Sequence, residues 1–538
     1  MNRDLLADGQ IADMARAGAL ALALGLAWTV RDWSALSALR LPDTDDTMRL
    51  VQIRDWLGGQ GWSDLTQHRL AGGLPMHWTR VADLGPAGLI AALGPMLGPR
   101  GAEIAAVIAW PLILFAAALF LIQRIARPVA GAPVAGVAAV IAAIAYPATT
   151  VFMPGRIDHH GLQLVLLLGS ALALLGPATL GRGAWQGVLG AASLVVGLET
   201  APLVGVLGLV AVIDWAWDGN RRRLGGLAVS AGGGLLVARL GFASDGWAIG
   251  WCDGLTLGAW RAAAALAGAL ALFALAPERI GRRTRIGLAL AGLTGVGAYA
   301  ALAAPRCLSP YGGVDPFLAR VWLARVGEAR SILSAPPATS FAYLGLAAAG
   351  LVAGAWRLRR APTRGWVVLV LLQAVALAVA CVQLRGAYPA ALLAAPALAA
   401  AVTAARGRGT ARLAGAWVAS AGMLYPLAAS AVGTDPEPPA SGLACDLPPE
   451  LARLAPGRVL APIDLGPRIL LETGHSVVAA PYHRNNAGNR AAFAAYADPA
   501  RARAIIRAWS VRYVVACDPA WPRATGLRQV AANLYTPA

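Results

Sequence analysis

Two short stretches carry most of the candidate chemistry in this sequence. The first, "LPDTDDTMRL", places Asp43, Asp45 and Asp46 almost side by side. Hard divalent cations such as Mg²⁺ or Mn²⁺ take several carboxylate oxygens, and such a cluster suits one. Asp and Thr are also ordinary helix N-caps, so a solvated capping turn is the alternative. The second, "PGRIDHHGLQ", sets Asp158, His159 and His160 next to one another. On extended backbone, Asp158 and His160 point the same way. The alternative is a capping Asp158 with two interfacial histidines. If the chain brings both clusters to one face of a membrane, a shared cation gains weight, because unpaired carboxylates near lipid are costly.

Further candidates are single residues. "MHWTRVADL" offers His77, Arg80 and Asp83 beside Trp78, an aromatic of the kind that sits at a membrane interface. "VGLETAP" holds Glu199, and "DPFLARVWLARVGEARS" holds Asp315, Arg320, Trp322, Arg325, Glu328 and Arg330. The helical period of that stretch turns Arg320 away from Glu328. Glu199 and Glu328 are acceptor-side carboxylates or surface salt-bridge partners. "QLRGAYPAALLAAP" leaves Arg385 at the edge of an apolar run. A guanidinium there matches a phosphate or pyrophosphate group bidentately, or it snorkels to lipid phosphate. "PYHRNN" adds Tyr482, His483 and Arg484, either contacts to an acceptor or donor glycan or a structured turn.

The elements that must hold these residues are membrane helices. Of 538 residues, 58% are hydrophobic and only 14% are charged, against about a quarter in a soluble chain. The net charge of +17 comes entirely from arginine, for the chain has no lysine. The arginines cluster in short loops between apolar runs, which is topology rather than nucleic-acid binding. A hydrocarbon core of about 30 Å needs roughly 20 apolar residues per helix. About thirteen segments fit, near 12–30, 102–124, 129–150, 160–178, 184–199, 201–217, 223–242, 257–276, 284–304, 339–357, 365–384, 387–404 and 411–432. The first reads as a signal anchor. With the N-terminus in the cytoplasm, Arg124 and Arg127, Arg182, Arg221 to Arg223, Arg279 to Arg285, Arg357 to Arg364 and Arg406 to Arg412 all fall inside, as the positive-inside rule requires. Three long segments then face outward: 31–101, 305–338 and the tail 433–538. All six histidines lie in them or at their membrane edge, including His68 and His475.

The tail reads as an α/β domain. Short strands are expected in "GRVLAPID", "HSVVAAP" and "RYVVACD", with a helical stretch near 490–508 and a Pro-rich linker "GTDPEPPASG". Cys445 and Cys517 both lie in it, and an oxidising compartment would let them pair. Cys252 and Cys307 fall in outer loops and form a weaker candidate pair. Cys381 reads as a buried small apolar residue. No CxxC occurs, which argues against a thiolate zinc site.

Taken together, these residues resemble the GT-C class of membrane glycosyltransferases, and within it the catalytic subunits of single-subunit bacterial and archaeal oligosaccharyltransferases. That family has about thirteen membrane helices, a long first outer loop, a flexible outer loop between helices 9 and 10, and an outer C-terminal domain. The resemblance covers the whole chain. It implies a membrane domain over 1–432 and a periplasmic soluble domain over 433–538. It implies a metal-binding Asp six residues before an Arg, an offset that Asp43 and Arg49 have and for which Asp45 and Asp46 compete. It makes Asp158-His159-His160 the D-x-H form of the second metal motif, "RVGE" the loop motif ending in Glu328, and Arg385 the donor-pyrophosphate Arg. Mg²⁺ or Mn²⁺ would then sit among Asp43, Asp45, Asp46, Asp158 and His160. Arg385, His77, Arg80, His159, Glu199, Tyr482, His483 and Arg484 would contact substrate. The WWDYG motif that reads the sequon is degenerate: at "APIDLG" only Asp464 and Gly466 remain.

The expected activity is metal-dependent glycosyl transfer from a polyprenyl-phosphate or -pyrophosphate carrier, at the periplasmic face of a bacterial inner membrane. The acceptor could be protein, glycan or lipid. A flippase of lipid-linked sugars and a non-catalytic assembly subunit are the alternatives. A flippase needs no metal site at one face, and the internal repeat common in transporters is absent.

Overall fold

The computed structural model describes residues 3–251, 253–303, 305, 309, 311–431, 445–518 and 520–537. Cys252, Cys307 and the linker 433–442 lie outside the described residues. The chain opens with α1 (Arg3–Ser37), α2 (Thr44–Leu57), a two-stranded hairpin of β1 (Thr66–Gln67) and β2 (Leu74–Pro75), and α3 (Arg80–Ala130). There follow α4 (Ala135–Ala143), α5 (His160–Leu175), α6 (Leu180–Val196), α7 (Ala201–Asp218), α8 (Arg221–Phe242), α9 (Leu257–Leu275) and α10 (Arg282–Ala303). A short α11 (Pro316–Val321) precedes α12 (Pro337–Arg360), α13 (Arg364–Val382), α14 (Ala387–Ala405), α15 (Thr410–Ser420) and α16 (Leu424–Ala431).

All thirteen apolar segments are helical, but not all are long. Among the described residues, nine helices have the length and apolarity to cross a membrane, or ten if α15 and α16, bent by 82°, count as one span. The expectation of thirteen therefore includes three shorter helices, α4, α5 and α6. Hydropathy summed over a window does not see the turns that end them. The segment around α4 gives way to a cis Tyr146-Pro147 bond and a 3₁₀ turn, and α5 stops at Leu175, before Gly176 and Pro177. The segment 31–101, read as a loop, is mostly helix, since α1 runs on to Ser37 and α3 starts at Arg80. α3 is interrupted at Gly98, whose φ of +70° no helix contains.

α14 is the hub of the membrane part. Almost all of its side chains are buried, and it packs on α3, α4, α12 and α13. Small residues allow this close approach: at Gly350 an added Cβ would lie 2.3 Å from Ala394 Cβ. Cys381 is exposed on α13, not interior as expected.

The tail is α/β, as its pattern indicated. β3 (Arg458–Leu460), α17 (Gly466–Glu472), β4 (Ser476–Val477), α18 (Asn486–Ala497), α19 (Pro499–Ala508), β5 (Val511–Val515), α20 (Ala520–Thr525), β6 (Arg528–Ala531) and β7 (Leu534–Thr536) build it. The sheet order is β4-β3-β5-β7-β6, with β3 parallel to β4 and β5, and β7 antiparallel to β5 and β6. All three expected strands are present; the closing hairpin of β6 and β7 was not foreseen. Cys445 and Cys517 form a disulfide with Cα atoms 5.2 Å apart.

Several contacts dock the tail on the rest, two of them at its sheet and its helices. Its edge strand is covered by the first loop: Ala71 N–H donates to Val477 O at 2.8 Å, and Val477 N–H to Arg69 O at 2.8 Å. An edge strand so paired offers no free ladder. The segment 315–326 lies on the other side, burying Leu318 and Trp322 against Leu460, Val478 and Ile506. Asp315 caps α11 through Phe317 N–H and pairs with Arg490 at 2.8 Å.

Candidate active site

A cavity of about 1320 Å³ opens between the helices and the tail. Both acidic stretches reach it, and glycine explains how. Gly155 has φ +92°, and a Cβ there would lie 2.7 Å from Pro42 Cδ. Only glycine permits this left-handed turn at such close approach. The turn presses "RIDHH" onto the start of α2. Asp43 caps α2 by accepting from Asp45 N–H at 3.1 Å. Asp46 accepts from Asp158 N–H at 2.8 Å, which splices the two motifs together. Arg156 Nη1 lies 3.1 Å from both Asp43 Oδ2 and Asp46 Oδ2.

The three aspartates of the first cluster therefore differ. Asp43 is partly exposed and paired with Arg156. Asp46 is fully buried and does not line the cavity. Burial, together with Asp43 and Asp158 and against Arg156, pushes its carboxyl up to about 7. Asp45 lines the cavity and makes no ion pair among the described residues. Burial first, then Asp43, Asp158 and Glu328, drive its carboxyl well above the usual range. Of the three, Asp45 is the one placed to take a cation. Asp43 and Asp46 both meet Arg156, a difference between the three that the sequence left open.

Asp158 is held from both sides. Arg49 Nη2 donates to its Oδ1 at 3.0 Å, and Arg49 Nη1 to Asp83 Oδ1 at 2.7 Å, all buried. Arg49 also lies over the Trp78 ring, 4.6 Å from its centroid. Burial would raise the Asp158 carboxyl, but His159, His160 and Arg49 outweigh it and hold it well below its ordinary value. His160 Nε2 lies 3.5 Å from Asp158 Oδ2 and 3.5 Å from Glu328 Oε2. His159 is clamped, with Nδ1 2.6 Å from Asp158 Oδ1 and Nε2 3.1 Å from Glu199 Oε1. Burial opposes its charge, yet the two carboxylates prevail and lift its pKa to about 10. Asp158, His159 and His160 present ligand atoms within 4.8 Å of one another. Asp45 and Glu328 line the cavity beside this group. Two or more oxygens and one imidazole fit a divalent metal.

Arg385 faces this set. Its Nη2 lies 3.2 Å from Glu328 Oε1 and donates to Tyr311 Oη at 2.7 Å, and its Nη1 lies 3.5 Å from Glu199 Oε1. Glu199 reaches in because residue 197 is glycine: a Cβ there would stand 2.3 Å from Glu199 Oε2. Glu328 is brought over by backbone bonds from its loop to the end of α13, Leu384 N–H to Arg330 O at 2.9 Å and Ile332 N–H to Cys381 O at 3.3 Å. Burial would raise Glu328, but Arg385 and His160 dominate and lower it to about 2.

Other expected site residues divide. His77, Tyr482 and His483 line the cavity. Tyr482 donates its hydroxyl to Thr44 O at 3.0 Å, tying the tail to the start of α2. Arg80 does not reach the cavity; it is buried among Asp83, Gln52 O and Asp64 O and braces the first loop. Arg484 is likewise a strut, bonded to Asp253, Pro75 O and Met76 O. Arg80 takes its carboxylate from Asp83, one turn on, but its carbonyl partners and all those of Arg484 come from remote segments, which neighbouring residues in the sequence do not announce. Sequence reasoning missed Arg156, although it sits inside the second motif, and Tyr311, Tyr388 and Asp253. Asp464 of the degenerate tail motif does line the cavity.

No family profile matches the sequence, and no curated protein matches it by sequence. Solved structures do match. The oligosaccharyltransferase AglB from Archaeoglobus fulgidus, in complex with an inhibitory peptide and a dolichol-phosphate, superposes with TM-score 0.63 at 14% identity, over 94% of this chain and 69% of that one. Its apo form gives 0.64 at 16% identity, with 94% and 69% covered. The form with Zn and sulfate gives 0.57 at 15%, with 88% and 64% covered. The fold is thus that of these oligosaccharyltransferase structures, a multi-pass membrane architecture with an α/β C-terminal domain. Within that fold this chain resembles the single-subunit archaeal form along nearly its whole length.

Proposed function

We propose that this protein is a glycosyltransferase that moves a sugar or oligosaccharide from a polyprenyl-phosphate or -pyrophosphate carrier to an acceptor in the cavity. The observation that carries the reading is Asp45, a cavity-facing carboxylate without a cationic partner among the described residues, set against Asp158, His160 and Glu328 with Arg385 opposite. Asp45, Asp158 and His160 would hold Mg²⁺ or Mn²⁺, which when bound supplies Lewis-acid stabilisation of the leaving phosphate. Arg385 donates its guanidinium hydrogens to phosphate oxygens, where a planar fork matches the anion. Tyr311 and Glu199 keep that fork aimed. The acceptor attacks the anomeric carbon with inversion as the carrier phosphate leaves. Glu328 or Asp45 orients the acceptor and takes its proton. His159 bridges Asp158 and Glu199 and orients both carboxylates.

The membrane domain spans 1–432 and the soluble domain 433–538, with the arginine-rich loops cytoplasmic and the cavity and tail periplasmic, in a bacterial inner membrane. The neighbours' dolichol-phosphate supports a lipid-linked donor here. Pro462 and Ile463 stand where the sequon-reading motif has its two Trp, so the reading rests on donor chemistry and names no sequon. The test uses purified protein with a polyprenyl-pyrophosphate sugar and Mn²⁺. Release of carrier lipid is expected, falling at least about 100-fold in Asp158→Asn. Full activity in that variant, or no consumption of any lipid-linked sugar by the wild type, overturns the assignment.

A further inference from the structure

The transfer chemistry leaves one cluster on the cavity wall unused. His77, Asp253 and His483 come from three segments far apart in the chain: the end of the β2–α3 loop, the loop between α8 and α9, and the tail. One ligand atom of each lies within 4.8 Å of the others, and all three line the cavity. We propose that His77, Asp253 and His483 form a second metal site, nitrogen-rich, for a first-row transition-metal dication of the Zn²⁺ type.

The donor set is the first support. Two imidazoles and one carboxylate are a usual three-residue complement for Zn²⁺, and a fourth position would face the cavity. The surroundings are the second. Arg484 grips Asp253 with both arms, Nη2 to Oδ1 at 2.6 Å and Nε to Oδ2 at 2.8 Å. The same guanidinium bonds Pro75 O and Met76 O, the carbonyls just before His77. One side chain thus orients the carboxylate and the backbone that carries a ligand, as outer-shell partners of metal sites do. Gly254 packs so closely that a Cβ would stand 2.3 Å from His77 O. His483 places Nε2 against Asp253 Oδ2. His77 makes ring contacts with His483 and Trp78, at 4.8 Å each, and no side-chain hydrogen bond among the described residues.

The chemistry separates this site from the first. Arg484 already balances the Asp253 charge, so attraction by charge alone is weak and Mg²⁺ or Ca²⁺ gains little. Affinity comes from imidazole nitrogen, which favours Zn²⁺. Such an ion would staple the tail to the two loops that carry His77 and Asp253.

The inference does not need the transferase reading, and its test reads binding alone. Metal-stripped full-length protein in detergent, with excess Mg²⁺ present, is titrated with Zn²⁺ by calorimetry and with Co²⁺ by visible absorption. One equivalent is expected to bind, to persist in Asp158→Asn, and to weaken about 100-fold or more in His483→Gln and in His77→Gln. The two histidine variants guard each other: if His483→Gln fails to fold, His77→Gln decides, for it breaks no hydrogen bond. No Zn²⁺ binding in excess Mg²⁺, or undiminished binding in the folded variants, overturns the proposal. Loss of that equivalent in Asp158→Asn instead assigns the ion to the first site and overturns it equally.

Discussion

Replacing Asp45 by Asn separates two things that one carboxylate does. In the metal-free protein Asp45 is a liability: it faces the cavity without a cation, near Asp43, Asp158 and Glu328, and burial together with these charges holds its carboxyl well above the ordinary range. An acid whose folded pKa is raised destabilises the fold at every pH above its unfolded value near 3.9, and most above its folded value. Asn keeps the shape and removes the charge. Leaving a partly buried charged acceptor unpaired costs about 1–3 kcal/mol, so Asp45→Asn is expected to stabilise the metal-free protein by that order at neutral pH, a rise of a few degrees in melting temperature. With Mn²⁺ the order reverses. A ligand at a hundred times its Kd stabilises the native state by about 2.7 kcal/mol, and only the wild type should gain it. Asp43→Asn is the control. Asn caps a helix as well as Asp does, and Asp43 already has Arg156, so its Mn²⁺ response should persist. The assay is thermal unfolding in detergent, with and without Mn²⁺, for the three proteins. The reasoning fails if metal-free Asp45→Asn melts below the wild type, or if it keeps the full Mn²⁺ shift.

Three further outcomes are expected. Arg385→Lys keeps a charge but loses the fork shared among Glu199, Glu328 and Tyr311; carrier release should fall on the order of 100-fold with unchanged Mn²⁺ binding, measured by turnover and thermal shift. Gly155→Ala puts a Cβ 2.7 Å from Pro42 Cδ at φ +92°, so it should cost about 1–2 kcal/mol or more and reduce turnover by displacing Arg156 and Asp158, read by melting and activity together. Opening the Cys445–Cys517 bridge, which spans 72 residues, by Cys517→Ser should destabilise the protein by about 2–4 kcal/mol, seen as earlier unfolding and faster proteolysis of the tail.

Membrane character, the thirteen helical segments and the α/β tail could be read from local patterns, because hydropathy and turn residues act over a few residues. So could both acidic motifs and Arg385, whose residue types announce their chemistry. Span length was less legible: α4 ends at a turn inside an apolar stretch, where no polar residue marks the boundary, and α5 and α6 stop at Gly176 and Gly197.

What the tertiary structure alone decided is which of these charges remain available. Asp43, Asp45 and Asp46 are indistinguishable in sequence, yet Arg156 and the Asp158 amide engage two of them and leave Asp45 facing the cavity. Arg80 and Arg484 carry the same side chain as Arg385, but carbonyls from remote segments, and for Arg484 the remote Asp253, make them struts. His77, Asp253 and His483 lie hundreds of residues apart and share a wall only after the tail docks. A side chain's type is written locally; its partners are set by segments that meet only in the folded chain, and for a charge withdrawn from water the partner determines the role.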